Sequence, residues 1–151
     1  MNIRSAIIEG TSILTDKSID SAKLDSEILL ALAIEQDREY LILNNDQNIK
    51  DENLRYYQKL ITKRSFREPI AYLTNKKNFW NHKFLVTKDT LIPRPDTEVI
   101  VEQILKITKF KTKMKILDIG VGSGCILLTI LKERKNFYGV GVDISLSLIH
   151  I

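Results

Sequence analysis

The 151-residue chain has one cysteine, Cys125, two histidines, His82 and His150, and three prolines. A lone cysteine excludes an internal disulfide framework and a cysteine-rich zinc site. Two histidines so far apart, with no carboxylate cluster beside either, argue against a metal centre. Long apolar runs are lacking too. The longest span a few residues, as in Ile126–Leu131 with Thr129 inside it, whereas a membrane span needs roughly 20. The opening MNIRSAIIEG has no apolar core followed by a small-residue cleavage site, so it does not read as a signal peptide, and the cytoplasm is the expected compartment. No internal repeat or low-complexity segment stands out.

What is present describes a folded chain: 44% apolar and 28% charged residues, enough apolar surface to offset chain entropy. The 23 Lys and Arg against 19 Asp and Glu leave a net charge of +4, too mild to argue for nucleic acid by itself. The charge is uneven. Residues 1–75 hold 10 basic and 12 acidic side chains, and residues 76–151 hold 13 and 7. Lys106, Lys109, Lys111, Lys113 and Lys115 could meet phosphates; the plainer reading is a solvated helix end and linker, since cations complement a helix C-terminus.

The first 75 residues read as helices. Ile3, Ile7 and Leu14 recur at helical spacing, and Leu24, Ile28, Leu29 and Leu32 form a second stripe capped by Ser18, Asp20 or Ser21. A short piece covers Asp37–Leu43. Asp51 reads as the N-cap of a fourth helix with Leu54, Tyr57, Leu60 and Ile61 inside, and Pro69 opens a last turn through Thr74. Near Asn75 the pattern changes to a hairpin, with Phe79-Trp80 and Phe84-Leu85-Val86 flanking Asn81-His82-Lys83. The two prolines around Arg94 then enforce an extended connection. A helix follows from Pro95 or Asp96, with Ile100, Val101, Ile104, Leu105 and Ile107 as its apolar face.

From Lys115 the order is strand, glycine turn, helix, strand: Lys115–Ile119, Gly120–Gly124, a helix from Cys125, then Phe137–Val142 closed by Asp143. This is a βαβ unit with parallel strands. Three alternate glycines let the backbone approach a ligand closely, and an acid at the end of the second strand can accept hydrogen bonds from both ribose hydroxyls. A nucleoside-containing cofactor is therefore expected. The dinucleotide fingerprint would need glycine where Cys125 stands, and no P-loop lysine is present. Asp118, two residues before the first glycine, suits a cationic ligand and would repel a pyrophosphate. S-adenosylmethionine has that charge.

Asp118–Gly124 with Asp143 resembles the first two motifs of Rossmann-like S-adenosylmethionine methyltransferases. The stretch Glu68-Pro69-Ile70-Ala71-Tyr72-Leu73-Thr74, then Phe79-Trp80, then Leu91-Ile92-Pro93-Arg94-Pro95-Asp96-Thr97-Glu98, is similar to the peptide chain release factor glutamine methyltransferases. That resemblance implies an α + α/β fold: a small helical substrate-recognition domain over 1–75, a β-hairpin linker over 76–92, and over 93–151 the opening βαβ of an incomplete methyltransferase domain. It implies methyl transfer from S-adenosylmethionine to the side-chain amide of the Gly-Gly-Gln glutamine of a release factor. By the same resemblance Gly120, Val121, Gly122, Ser123 and Gly124 line the methionine part of the cofactor, Asp143 holds the ribose, and Asp118 sits beneath the turn. Arg94, Asp96, Thr97 and Glu98 either border that pocket or cap a helix. The expected partner is the release factor, with no metal, no membrane and no direct nucleic-acid binding.

Departures from the family pattern also carry expectations. Asn75 replaces a usual glycine, and asparagine tolerates the positive φ needed there. The family's Asn-Pro-Pro-Tyr, which aims the amide nitrogen at the methyl group, does not occur in the chain, so no catalytic residue is assigned. The tail after about Ser145 departs from the family's alanine-rich helix and reads as non-native. The chain is accordingly expected to be one part of a longer protein, inactive alone and weak in cofactor binding. Cys125 reads as a buried small hydrophobe. Phe79 and Trp80 read as packing of the hairpin against the helical domain, with contact to a protein partner as the alternative. Two other functions stay open: an amino-directed nucleic-acid methyltransferase, and a non-catalytic module that binds the cofactor or the release factor.

Overall fold

The computed structural model describes residues 1–145. The reading of the tail as non-native, and His150 with it, lies outside those residues. The chain divides into two compact units, Met1–Thr74 and Asn75–Ile151.

The first unit is helical: α1 (Ile3–Asp16), α2 (Ala22–Ala33), α3 (Arg38–Leu43), α4 (Asp51–Ser65) and α5 (Ile70–Thr74). Local chemistry starts two of them. Asn2 accepts the Ser5 amide at 2.9 Å at the head of α1, and Asp37 accepts the Tyr40 amide at 2.8 Å at the head of α3. Asp51 is not the cap of α4. Lys50 holds that position in extended backbone, and Asp51 with Glu52 fills the first turn, where negative charge meets the helix dipole. The inner face of α2 also differs from the sequence stripe. Leu24 is 43% exposed, and Ala22, Asp25, Ser26, Leu29, Leu30 and Ala33 are buried. Packing of α2 against both α1 and α4 decides this face, and it draws two polar residues inside because partners wait there. Asp25 meets Arg64 of α4 at 2.7 Å, and Ser26 meets Tyr57 at 2.7 Å.

The second unit opens with β1 (Lys76–Phe79) and β2 (His82–Leu85), antiparallel with Phe79 opposite His82. The tip is thus Trp80-Asn81, and His82 and Lys83 belong to β2. Trp80 takes a left-handed φ of 54°, an unusual choice for a bulky residue. It is held from outside the turn. Its backbone N–H donates to Glu98 at 2.6 Å and its indole N–H to Glu133 at 3.0 Å. Asn75 adopts φ 53°, as its side chain permits, and its carbonyl accepts the Val86 amide at 3.2 Å, closing the hairpin. Phe79 and Phe84 meet edge to face at 6.0 Å. They share a core with Val101, Cys125, Ile130 and Phe137, so the hairpin aromatics pack into their own α/β unit and the expected packing on the helical domain is corrected.

A 3-10 turn at Pro95–Thr97 leads into α6 (Glu98–Ile107). Of its expected apolar face, Val101 is buried, Ile104 and Leu105 are half-buried, and Ile100 and Ile107 are exposed. Then follow β3 (Lys115–Ile119), α7 (Cys125–Glu133) and β4 (Tyr138–Val142), with β3 and β4 parallel in the register Leu117 to Val140 and Ile119 to Val142. Gly139 and Gly141 alternate on the strand face toward α7. A Cβ at Gly139 would fall 2.6 Å from Leu127, and one at Gly141 2.7 Å from Val121. These glycines let the helix and the preceding turn lie close on β4.

Candidate functional site

The site forms where β3 ends and the chain turns into α7. Gly120, Gly122 and Gly124 have φ of 80°, 53° and 73°, all in the region that side chains disfavour. Two backbone bonds bind the turn to the neighbouring strand: the amides of Gly120 and Val121 donate to the Val142 carbonyl at 2.7 and 3.1 Å. Asp143 adds a third. Its Oδ2 accepts the Gly122 amide at 2.9 Å, and its Oδ1 accepts the Ser145 amide at 3.0 Å. The C-terminal ends of two parallel strands thus share one cradle, the usual place for a ligand in an α/β sheet.

Space in the cradle fits a bound group. A Cβ at Gly120 would meet nothing within 4 Å, and one at Gly122 only the Gly120 carbonyl at 4.0 Å. These two glycines serve the backbone conformation and leave open room above it. Gly124 differs, since a Cβ there would crowd Leu128 at 3.0 Å. Ser123 and Gly124 are buried, Val121 and Gly122 half-buried, and Gly120 exposed. The accessible part of the turn is therefore Gly120–Gly122, and its buried part shapes the start of α7.

The two acids are in different electrostatic states. The amides of Ser145 and Gly122 hold the Asp143 carboxyl below the usual carboxylate range. Burial pushes Asp118 up; the Leu127 amide bonded to it works the other way, and the negative charge of Asp143 adds to the rise. Asp118 so faces the first turn of α7, whose N-cap Gly124 has no side chain to offer, and answers an orphan amide there. Burial likewise raises the Cys125 thiol, which fits a packing role.

All seven sequence-derived site residues, Asp118, Gly120 to Gly124 and Asp143, fall in this one cradle. Glu98 is tied to the hairpin tip through the Trp80 amide; Arg94 and Asp96 are exposed ahead of α6. Gly139 and Gly141 were not among the sequence candidates. Their signal was the alternation in Tyr-Gly-Val-Gly-Val, with small residues on one face of a strand. Among the described residues no cluster of His, Cys, Asp or Glu could hold a metal ion, and no helix is long and apolar enough to cross a membrane.

A helical unit followed by a hairpin and a strand–glycine turn–helix–strand module is an α + α/β arrangement with the fold of an incomplete methyltransferase domain, of which it holds the opening βαβ. Residues 5–74 match the family described as the PrmC N-terminal domain. The whole chain is 36% identical to the release factor glutamine methyltransferase of Clostridium acetobutylicum, covering 53% of that protein. It is 37% identical over 145 residues to the protein of the same name in Buchnera aphidicola, covering 96% of this chain and 51% of the relative. It is 38% identical over 143 residues to that of Geobacter sulfurreducens, covering 95% and 50%. Over its whole length the chain is similar to release factor glutamine methyltransferases, and over residues 5–74 to the PrmC N-terminal domain. It spans about half the length of the curated relatives it matches.

Proposed function

We propose that the chain holds the S-adenosylmethionine cradle of a cytoplasmic enzyme that methylates the side-chain amide of the Gly-Gly-Gln glutamine in a peptide chain release factor. The relatives' names support the substrate. The observation that carries the cofactor is the cradle itself: a left-handed glycine turn open above Gly120 and Gly122, bonded to a carboxylate at the end of the next strand. Bound there, S-adenosylmethionine supplies an electrophilic methyl group. The chain's own residues bind and orient. Each Asp143 oxygen accepts one amide and keeps lone-pair capacity for a ribose hydroxyl. The bare backbone at Gly120–Gly122 admits the methionine part, and the charges of Asp118 and Asp143 complement a sulfonium and an ammonium. Release-factor recognition is assigned to the helical unit, residues 1–75.

Titration of the 151-residue chain with S-adenosylmethionine, followed by amide NMR, is expected to shift Gly120, Gly122 and Ser145, with NAD and ATP leaving them unmoved. Calorimetry is expected to show affinity weaker than low micromolar. Replacing Asp143→Ala should abolish the amide shifts, and shifts that survive it would sink the assignment of this acid. For the reaction, the complete gene product is incubated with labelled cofactor, a release factor and RNA. Label on the release-factor glutamine supports the reading; label confined to nucleic acid overturns it.

A further inference from the structure

The two ends of the β3–β4 pair differ in charge. Asp118 and Asp143 stand at the strand C-termini. The segments that feed the strand N-termini, 105–115 and 132–137, carry eight cations and one acid, Glu133. That acid already accepts the Trp80 indole N–H. The two segments are joined in space. Arg134 donates to the Leu105 carbonyl at 3.1 Å and the Tyr138 amide to the Met114 carbonyl at 2.8 Å. Between them lies an open cleft of about 220 Å³, bordered by Lys111, Thr112, Arg134, Lys135 and Asn136, with Glu133 as the one acid on its lining.

Helix capping accounts for only part of this charge. Lys106 and Lys132 lie in the last turns of α6 and α7, where the dipole favours them. Lys109, Lys111, Lys113 and Lys115 lie beyond α6, and all four are exposed. Phe110 stands among them, 90% exposed, with the Lys109 ammonium 5.5 Å from its ring centre. A bare aromatic ring between lysines adds nothing to the core. It does match what a single-stranded nucleic acid needs: a π-face for a base, and cations spaced for the flanking phosphates. Thr112 and Asn136 add uncharged donors beside the cleft. The net +4 of the chain conceals this concentration.

We propose that this end of the α/β unit, opposite the glycine cradle, binds single-stranded nucleic acid, with phosphates on the lysines and a base on Phe110. The inference goes beyond the methyl-transfer reading and stands apart from it, since its test contains no cofactor.

The test is fluorescence anisotropy of a labelled 12-nucleotide oligouridylate with the 151-residue chain, between 50 and 200 mM salt. Saturable binding is expected at low salt, weakening as salt rises by about 0.7 in log–log slope per phosphate contact. Lys109→Ala with Lys111→Ala and Lys113→Ala should flatten that slope by about 2. The three corresponding Lys→Arg changes should preserve it. Phe110→Ala should weaken binding about tenfold at unchanged slope. Removing three exposed lysines elsewhere, Lys17, Lys23 and Lys59, should have no effect. Circular dichroism confirms that each variant is folded. No saturation by about 100 μM protein at 50 mM salt, equal losses from both lysine triples, or binding to phosphatidylserine vesicles without binding to the oligonucleotide would each overturn the proposal.

Discussion

In the helical unit polar groups point inward and find each other; in the α/β unit those that matter chemically stand at the open ends of strands. Tyr57 donates to the Ala6 carbonyl at 3.0 Å and shares a 2.7 Å bond with Ser26, all inside the bundle. Asp25, buried, is satisfied by Ser21 and Arg64 at 2.8 and 2.7 Å. Asp143 and the glycine turn, by contrast, are bonded mostly to backbone and keep accepting capacity. Apolar exposure differs in its arrangement. In the helical unit it is scattered over separate helices, as at Ile8, Leu43 and Phe66, whereas the sheet face away from α7 gathers Leu117 at 60% and Ile119 at 78% exposure opposite Val140 and Val142. Inward polarity specifies how helices meet, and outward polarity on a rigid sheet end is available to a ligand.

The contrast predicts large effects in one unit and small ones in the other. Asp25→Ala removes the counter-charge of Arg64, which also donates to the Glu68 carbonyl. A loss of about 4 kcal/mol in urea unfolding followed at 222 nm is expected. Gly10→Ala comes next. A Cβ at this α1 position would overlap the Tyr57 hydroxyl and lie 2.8 Å from the Ser26 oxygen. Despite alanine's better helix propensity, about 3 kcal/mol should be lost.

Tyr57→Phe should cost about 1 kcal/mol by removing the bonds to the Ala6 carbonyl and the Ser26 hydroxyl, each of which keeps a second partner, the α1 backbone for Ala6 and the Ile7 carbonyl for Ser26. It also has a pH signature. Burial pushes the Tyr57 hydroxyl up to about 12 from 10.0. Because only the neutral form suits the folded state, the associated stability is complete below pH 10 and is lost as pH rises through about 12. That loss is on the order of 3 kcal/mol in the parent and absent in the variant, measured by denaturation at stepped pH. Asp118→Asn keeps an acceptor for the Leu127 amide and removes a charge whose burial is unfavourable. The unit's thermal midpoint should hold or rise by a few degrees, while the cofactor-induced amide shifts weaken. Smallest of all, Leu117→Thr and Val140→Thr should each change stability by less than about 0.5 kcal/mol. A loss above about 1.5 kcal/mol would mean that this face is covered in solution and would break the comparison.

How much of this could be read from residues alone depended on how local its cause was. The β3–turn–α7–β4 order and the left-handed Asn75 follow from neighbours within a few positions, so both were legible. The N-cap of α4 missed by one residue, because Asp51 suits a first turn as well as a cap. The hairpin tip falls at Trp80-Asn81 because the Trp80 backbone N–H is held by Glu98 and its indole N–H by Glu133, 18 and 53 residues away. The buried face of α2 was misread for the same reason. Asp25 looks solvent-facing until Arg64 arrives from 39 residues on. In the site, the glycines and Asp143 could be named in advance. That Asp118 faces the first turn of α7 could not.

By itself the sequence determined the helical and α/β character of the two halves, the glycine turn and its acid, and the resemblance to release factor glutamine methyltransferases. These rest on spacing and residue type, which act over one or two turns of chain. Tertiary structure alone decided which groups are buried together, where the hairpin aromatics pack, and that lysines from two distant segments gather at one end of a sheet. Such outcomes depend on which surfaces meet, and the free energy of desolvating a charge or a ring is settled only when its partner is in place.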